Sequence, residues 1–161
     1  MFIAMFQVTI HPNFTNDLHT RANGYVETQP RHDAALLKLD RDVKHSVPVC
    51  LPSSMATPRM ATVTGWGRTG SQETSPMSRS LLVTRVPVLT SHECEAQPGS
   101  SRPHADQLCA GLSHAGHTAC PGDSGGGLVT RDTNTGLWTI IGIVSTGRGT
   151  LMMQNTIIIC F

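Results

Sequence analysis

The chain has 161 residues, of which 39% are hydrophobic and 14% charged, with 15 Gly, 10 Pro and a formal net charge of +1. That balance fits a turn-rich folded chain rather than a disordered one. A near-neutral charge without a polybasic run excludes the electrostatic footprint of a nucleic-acid binder.

The opening run Met1–Ile10 is apolar, but it falls well short of the ~20 residues needed to cross a bilayer. It also lacks the basic start and small-residue cleavage site of a signal peptide. Neither a membrane segment nor an export signal of its own is therefore expected. Strand signals follow, as short runs rich in Val, Ile and Thr bounded by Gly, Pro, Ser and Asn. They cover Gln7–Ile10, Ala34–Leu39, Ala61–Gly65, Leu81–Leu89, Gly127–Thr130 and Trp138–Ser145. Within Leu81–Leu89 the alternation places Leu82, Thr84, Val86 and Val88 on one side. Asn13-Phe14-Thr15 has the form of a glycosylation acceptor. Ser91–Glu95 reads as a short helical turn with Ser91 as its N-cap. Gly70–Ser80 and Gln97–Pro103 read as surface loops. With no sustained 3.6-residue apolar period, the chain reads as an all-β sandwich or barrel.

One segment carries chemistry: Cys120-Pro121-Gly122-Asp123-Ser124-Gly125-Gly126. Glycines around a serine allow backbone with positive φ, so that neighbouring N–H groups can converge on one oxyanion. The same letters also serve ordinary turns, and the segment alone leaves both readings open.

Taken with its surroundings, the segment resembles the nucleophile motif of the chymotrypsin-like serine proteases. The resemblance runs over about residues 7–149 and includes Val49-Cys50-Leu51-Pro52, Thr62-Val63-Thr64-Gly65-Trp66-Gly67, Leu108-Cys109-Ala110-Gly111 and Ile143-Val144-Ser145-Thr146-Gly147. His32-Asp33-Ala34-Ala35-Leu36-Leu37 is similar to the family's acid-bearing motif. The resemblance implies a serine endopeptidase acting on a protein or peptide, secreted and without a cofactor. Ser124 would be the nucleophile, Asp33 the acid orienting a histidine, and the N–H groups of Gly122 and Ser124 the oxyanion hole. Asp123 would receive the amino terminus released on zymogen cleavage. Thr118 would form the base of the primary pocket, and its lack of charge argues against a strong preference for Arg or Lys. Ser145 and Gly147 would pair with the substrate backbone as an added strand. Cys94 and Cys109 would form a disulfide whose ~15-residue loop contributes about 3 kcal/mol in the chain-entropy model. Cys50 matches a cysteine that links to an upstream chain. The run from Gly126 to Asp132 resembles the complement-initiating branch, which includes the lectin-associated proteases.

The pattern is incomplete. None of the eight histidines stands in the family's Thr-Ala-Ala-His-Cys motif, and the usual amino-terminal motif is missing. Residues 150–161 read as a divergent tail. The expected fold is a trypsin-like double β-barrel with the second barrel mostly present and the first largely missing, so that open strand edges would favour aggregation. Two functional readings remain open: a protease domain whose chain here lacks the catalytic His and is inactive alone, or a non-catalytic homologue that binds or regulates. A zinc site from Cys109, His114, His117 and Cys120 is a third alternative by spacing, weakened by the absence of paired Cys-x-x-Cys ligands.

Overall fold

A computed structural model describes residues 3–20, 26–53, 58–70, 74–97, 102–111, 119–148 and 156–160. Among these, the ordered elements are β-strands apart from one short helix. Six strands close into a barrel: β5 (Met60–Gly65), β6 (Leu82–Leu89), β7 (Gln107–Ala110), β8 (Gly127–Arg131), β9 (Trp138–Arg148) and β10 (Thr156–Cys160), in the order β10-β7-β6-β5-β8-β9. All pairings are antiparallel. Alternation along each strand sends one set of side chains inward. That set is Ala61 and Val63 from β5, Val86 and Val88 from β6, Ala110 from β7, Leu128 from β8, and Ile141 and Val144 from β9. Small and branched residues fill the interior, so this barrel is a packed core and not a channel.

The tail contributes to that closure. Within residues 150–161, the stretch read as a divergent tail, Thr156–Cys160 pairs with β7 on one side and β9 on the other. The run Thr156-Ile157-Ile158-Ile159-Cys160 is rich in the β-branched residues that favour strands. Two two-stranded ribbons with open edges lie outside the barrel. In one, β1 (Met5–Ile10) pairs with β4 (Ala35–Leu39). In the other, β2 (Thr15–Thr20) pairs with β3 (Val26–Arg31). Both strands of the first ribbon are exposed throughout, Phe6 at 70% and Leu36 at 76%. A single closed barrel with an uncovered apolar ribbon is the architecture of a partial trypsin-like double barrel.

The ribbons are tied to the barrel through the segment before β7. Gln107 is buried; its Nε2 donates to the Pro30 carbonyl at 2.8 Å, and its Oε1 accepts from the His104 N–H at 2.9 Å. Asp106 accepts the His32 N–H at 2.8 Å and lies 3.5 Å from His32 Nδ1.

The helix α1 (Ser91–Glu95) sits where the sequence places it, but its N-cap is Thr90 rather than Ser91. The Thr90 hydroxyl accepts the Glu93 N–H at 3.2 Å, and the Glu93 carboxylate accepts the Thr90 N–H at 2.7 Å. This reciprocal pair requires a Glu three residues after the cap, and only Thr90 has one. Thr90→Ala is expected to lower stability by about 1 kcal/mol and Thr90→Ser to leave it nearly unchanged, as read by urea unfolding. Cys94 on α1 and Cys109 on β7 form a disulfide, the pairing that the resemblance implies, and both are buried. Among the described residues no helix is long and apolar enough to cross a membrane.

Candidate active site

The Ser124 loop leaves the barrel just before β8 and is fixed at both ends. At its start, the Asp123 N–H donates to the Cys120 carbonyl at 2.9 Å, and the Arg68 N–H donates to the Pro121 carbonyl at 3.0 Å. At its end, the Gly126 N–H donates to the Asp123 carbonyl at 3.0 Å. Gly125 then donates to the Val144 carbonyl, and Val144 donates back to the Gly126 carbonyl, both at 2.8 Å. Gly122 has φ of +101° and Gly125 +81°, conformations that glycine adopts without steric cost. Ser124 is exposed. Among the described residues, neither the Gly122 nor the Ser124 N–H has a protein acceptor. An exposed hydroxyl beside two unengaged backbone donors is chemically suited to receive a carbonyl and stabilise its developing oxyanion.

Asp33 lies far from this loop in sequence but is joined to the same strand. The Ser145 hydroxyl donates to Asp33 Oδ2 at 2.6 Å, across 112 positions. The register between β9 and β10 explains how Ser145 reaches it. Thr146 pairs with Ile158 and Val144 with Ile159, so Ser145 is left over as the extra residue of a bulge. Bulges bend a strand and re-aim a side chain. Val144 therefore holds the Ser124 loop while its neighbour Ser145 holds Asp33. The corner before Asp33 is tight: His32 has φ of +50°, and the Ala34 N–H donates to the His32 carbonyl at 2.8 Å.

Asp123 turns its carboxylate away from Ser124 toward the Gly65-Trp66-Gly67 segment. Its Oδ1 accepts the Gly67 N–H at 2.7 Å and its Oδ2 accepts the Cys120 N–H at 2.8 Å. A Cβ on Gly65 would lie 1.8 Å from Asp123 Oδ1, and one on Gly67 would lie 2.6 Å from the same carboxylate. The space for Asp123 thus exists because both residues lack side chains, a requirement that the motif alone did not disclose. Burial, and after it the charge of Asp123, push the Cys120 thiol above its ordinary pKa.

The remaining expected residues are placed as follows. Gly147 pairs with Ile157 of β10, which occupies one edge of β9. On the other edge the hydrogen bonding of the Ser124 loop to β9 ends at Val144, leaving 145–147 without a strand partner on that side among the described residues. Thr118, His114 and His117 lie outside the described residues. Cys109 is held in its disulfide and so is removed from the zinc set considered above. Cys50 is a free thiol on a segment that bridges to Thr139 of β9. No described histidine is hydrogen-bonded to Asp33 or Ser124. His11 and His32 instead stack at 4.9 Å, and His11 Nδ1 accepts the Asn13 N–H at 3.1 Å.

Asp106 gives this region a pH dependence. Burial alone would raise its pKa, but the N–H groups of His32 and of Asp106 itself, with the charges of His32 and Arg31, hold the carboxyl below its usual range. A lowered carboxylate pKa adds stability that is present above the unfolded value of about 3.9 and lost as pH falls through the folded value. Acid unfolding below pH ~4 is accordingly expected to be less steep in Asp106→Asn than in the parent, as followed by near-UV circular dichroism.

The Trypsin family profile matches residues 3–157, and the chain belongs to that family, the chymotrypsin-like serine proteases. It is similar to rat mannan-binding lectin serine protease 1, 36% identical over 105 residues, covering 63% of this chain and 14% of the relative. It is also similar to bovine coagulation factor XI, 34% identical over 131 residues, covering 78% of this chain and 20% of the relative. Mouse mannan-binding lectin serine protease 1 is 31% identical over 145 residues, covering 88% of this chain and 19% of the relative. The chain therefore spans a fifth or less of the length of these relatives, and two of the three belong to the lectin-associated branch.

Proposed function

We propose that this chain carries the nucleophile half of a secreted serine endopeptidase acting on a protein or peptide, and that alone it hydrolyses peptide bonds negligibly. Ser124 is the nucleophile, and Asp33 orients the imidazole that takes its proton. The N–H groups of Gly122 and Ser124 receive the oxyanion, and Ser145, Gly147 and Thr118 face the substrate. Asp123 is the acceptor for an activating amino terminus, and Cys50 the link to an upstream chain. The observation that carries the reading is the Ser145–Asp33 hydrogen bond of 2.6 Å beside the strand residue that holds the Ser124 loop.

Attack by a serine hydroxyl on a carbonyl carbon requires transfer of its proton to a base. Among the described residues no histidine is hydrogen-bonded to Asp33 or Ser124, which supports the reading that this chain does not itself supply the base. Loss of a triad histidine in a serine protease lowers kcat by about a millionfold. Peptide hydrolysis by this chain is therefore expected to match that of Ser124→Ala. Free imidazole should restore measurable labelling of Ser124 by a fluorophosphonate, and Asp33→Ala should abolish that rescue. Turnover that depends on Ser124 without added imidazole would overturn the missing base. Labelling that ignores both imidazole and Asp33 would overturn the pairing of Ser124 with Asp33.

A further inference from the structure

We propose that Asn13 is an acceptor for an N-linked glycan, a modification site independent of the catalytic chemistry. The inference rests on the reading of the protein as secreted. The asparagines of the sequence are 13, 16, 23, 134 and 155, and only Asn13 is followed at the second position by Ser or Thr. The triplet Asn13-Phe14-Thr15 has no proline at its middle position, as the acceptor pattern requires.

The local structure leaves this asparagine available. It lies in the tight turn between β1 and β2, and both Asn13 and Thr15 are exposed. Asparagines in turns commonly spend their side chain on a neighbouring backbone group. Here the turn is closed by other groups. The Phe14 N–H donates to the His11 carbonyl at 3.0 Å, and the His11 ring accepts the Asn13 N–H at 3.1 Å. Among the described residues, the Asn13 carboxamide and the Thr15 hydroxyl make no hydrogen bond at all. A bulky substituent on the Asn13 amide therefore breaks no contact of the fold.

The position also has a physical use. It follows directly on β1, where Val8 is 51% and Ile10 61% exposed. A hydrated oligosaccharide there stands beside the apolar ribbon and obstructs its association with other chains.

The chemistry is a single group transfer. The Asn13 carboxamide nitrogen attacks the anomeric carbon of a lipid-diphosphate-linked oligosaccharide. The N–C bond forms as the bond from that carbon to the diphosphate oxygen breaks. The lipid diphosphate leaves with the electron pair, and the amide nitrogen gives up one proton.

The test is translation of the full chain behind a cleavable secretory leader, in the presence of microsomes, followed by intact-mass analysis and treatment with a peptide-N-glycanase. The expected result is one oligosaccharide per chain, released by the enzyme with conversion of position 13 to aspartate. Asn13→Gln and Thr15→Ala should each abolish it, and Thr15→Ser should retain it. The glycosylated fraction should form the Cys94–Cys109 disulfide as completely as the bare chain, by thiol alkylation after refolding. A translocated, leader-cleaved chain that stays unmodified would overturn the proposal, as would a glycosylated fraction unable to form that disulfide. Because the leader is supplied, failure here is separate from failure of native secretion, and neither result depends on whether Ser124 is catalytic.

Discussion

Gly65→Ala is expected to lower the unfolding free energy by about 3 kcal/mol or more, and most of that cost should vanish in an Asp123→Ala background. The glycine is required here by space and not by its backbone dihedral. A methyl at position 65 would lie 1.8 Å from Asp123 Oδ1, a separation that no rotation of the methyl relieves. The carboxylate must leave, and with it go the bonds to the Gly67 and Cys120 N–H groups at 2.7 and 2.8 Å. Hydrogen bonds to a charged group contribute about 1.5–3 kcal/mol each, so losing both sets the scale of the effect. Asp123→Ala on its own removes the same two bonds and should cost a similar amount. Once the carboxylate is gone, the added methyl meets no obstacle from it, so the double variant should be scarcely worse than either single one. Urea unfolding of the four proteins measures the coupling. Additivity within about 0.5 kcal/mol would mean that Asp123 does not hold the loop. The consequence for the loop follows from covalent adjacency, since Asp123 lies between Gly122 and Ser124 and its release loosens the backbone of both.

The strands legible in the sequence are those rich in apolar and branched residues, β1 and β4 of the exposed ribbon as well as β5, β6, β8 and β9 of the barrel. Runs such as Ala61–Gly65 and Trp138–Ser145 combine branched residues with alternation, and the buried positions Ala61, Val63, Val86 and Val88 follow it. The strands β2 and β3 were missed because Thr-Asn-Asp-Leu-His-Thr and Val-Glu-Thr-Gln-Pro-Arg carry no apolar alternation. Their order comes from pairing with each other, and from Gln107 capturing the Pro30 carbonyl from 77 positions away. The four residues of β7 are too few for periodicity to register. In β10 the apolar run is plain in the sequence, but its place in the barrel is a property of pairing with β7 and β9. At the site, Ser124 and its glycines could be read because consecutive residues make the loop. The Ser145–Asp33 bond could not, since it depends on a register irregularity in β9. The need for Gly65 and Gly67 was hidden for the same reason, because the atom that excludes a side chain there belongs to Asp123.

Leu128→Ala is the second large effect, expected at about 2–5 kcal/mol. Leu128 is fully buried, four residues after Ser124, on the strand that β5 and β9 flank. It pairs with Val63 of β5 on one side and Gly142 of β9 on the other. Its core neighbours Ala61, Val63 and Ala110 are small or branched and belong to strands locked in a closed ladder, so they cannot move in to fill the space. A cavity that cannot collapse places the loss toward the upper part of that range. Leu36→Ala removes the same atoms from a residue that is 76% exposed, and should change stability by no more than about 0.5 kcal/mol. Urea unfolding of the two variants side by side separates burial from residue type. Equal losses would show that the β1–β4 ribbon is covered in solution; a small loss at both would show that the barrel does not pack around Leu128. If the expected difference holds, the Ser124 loop owes its support to the barrel and not to the β1–β4 ribbon. Ser124 would then keep its backbone setting whatever covers the β1–β4 ribbon.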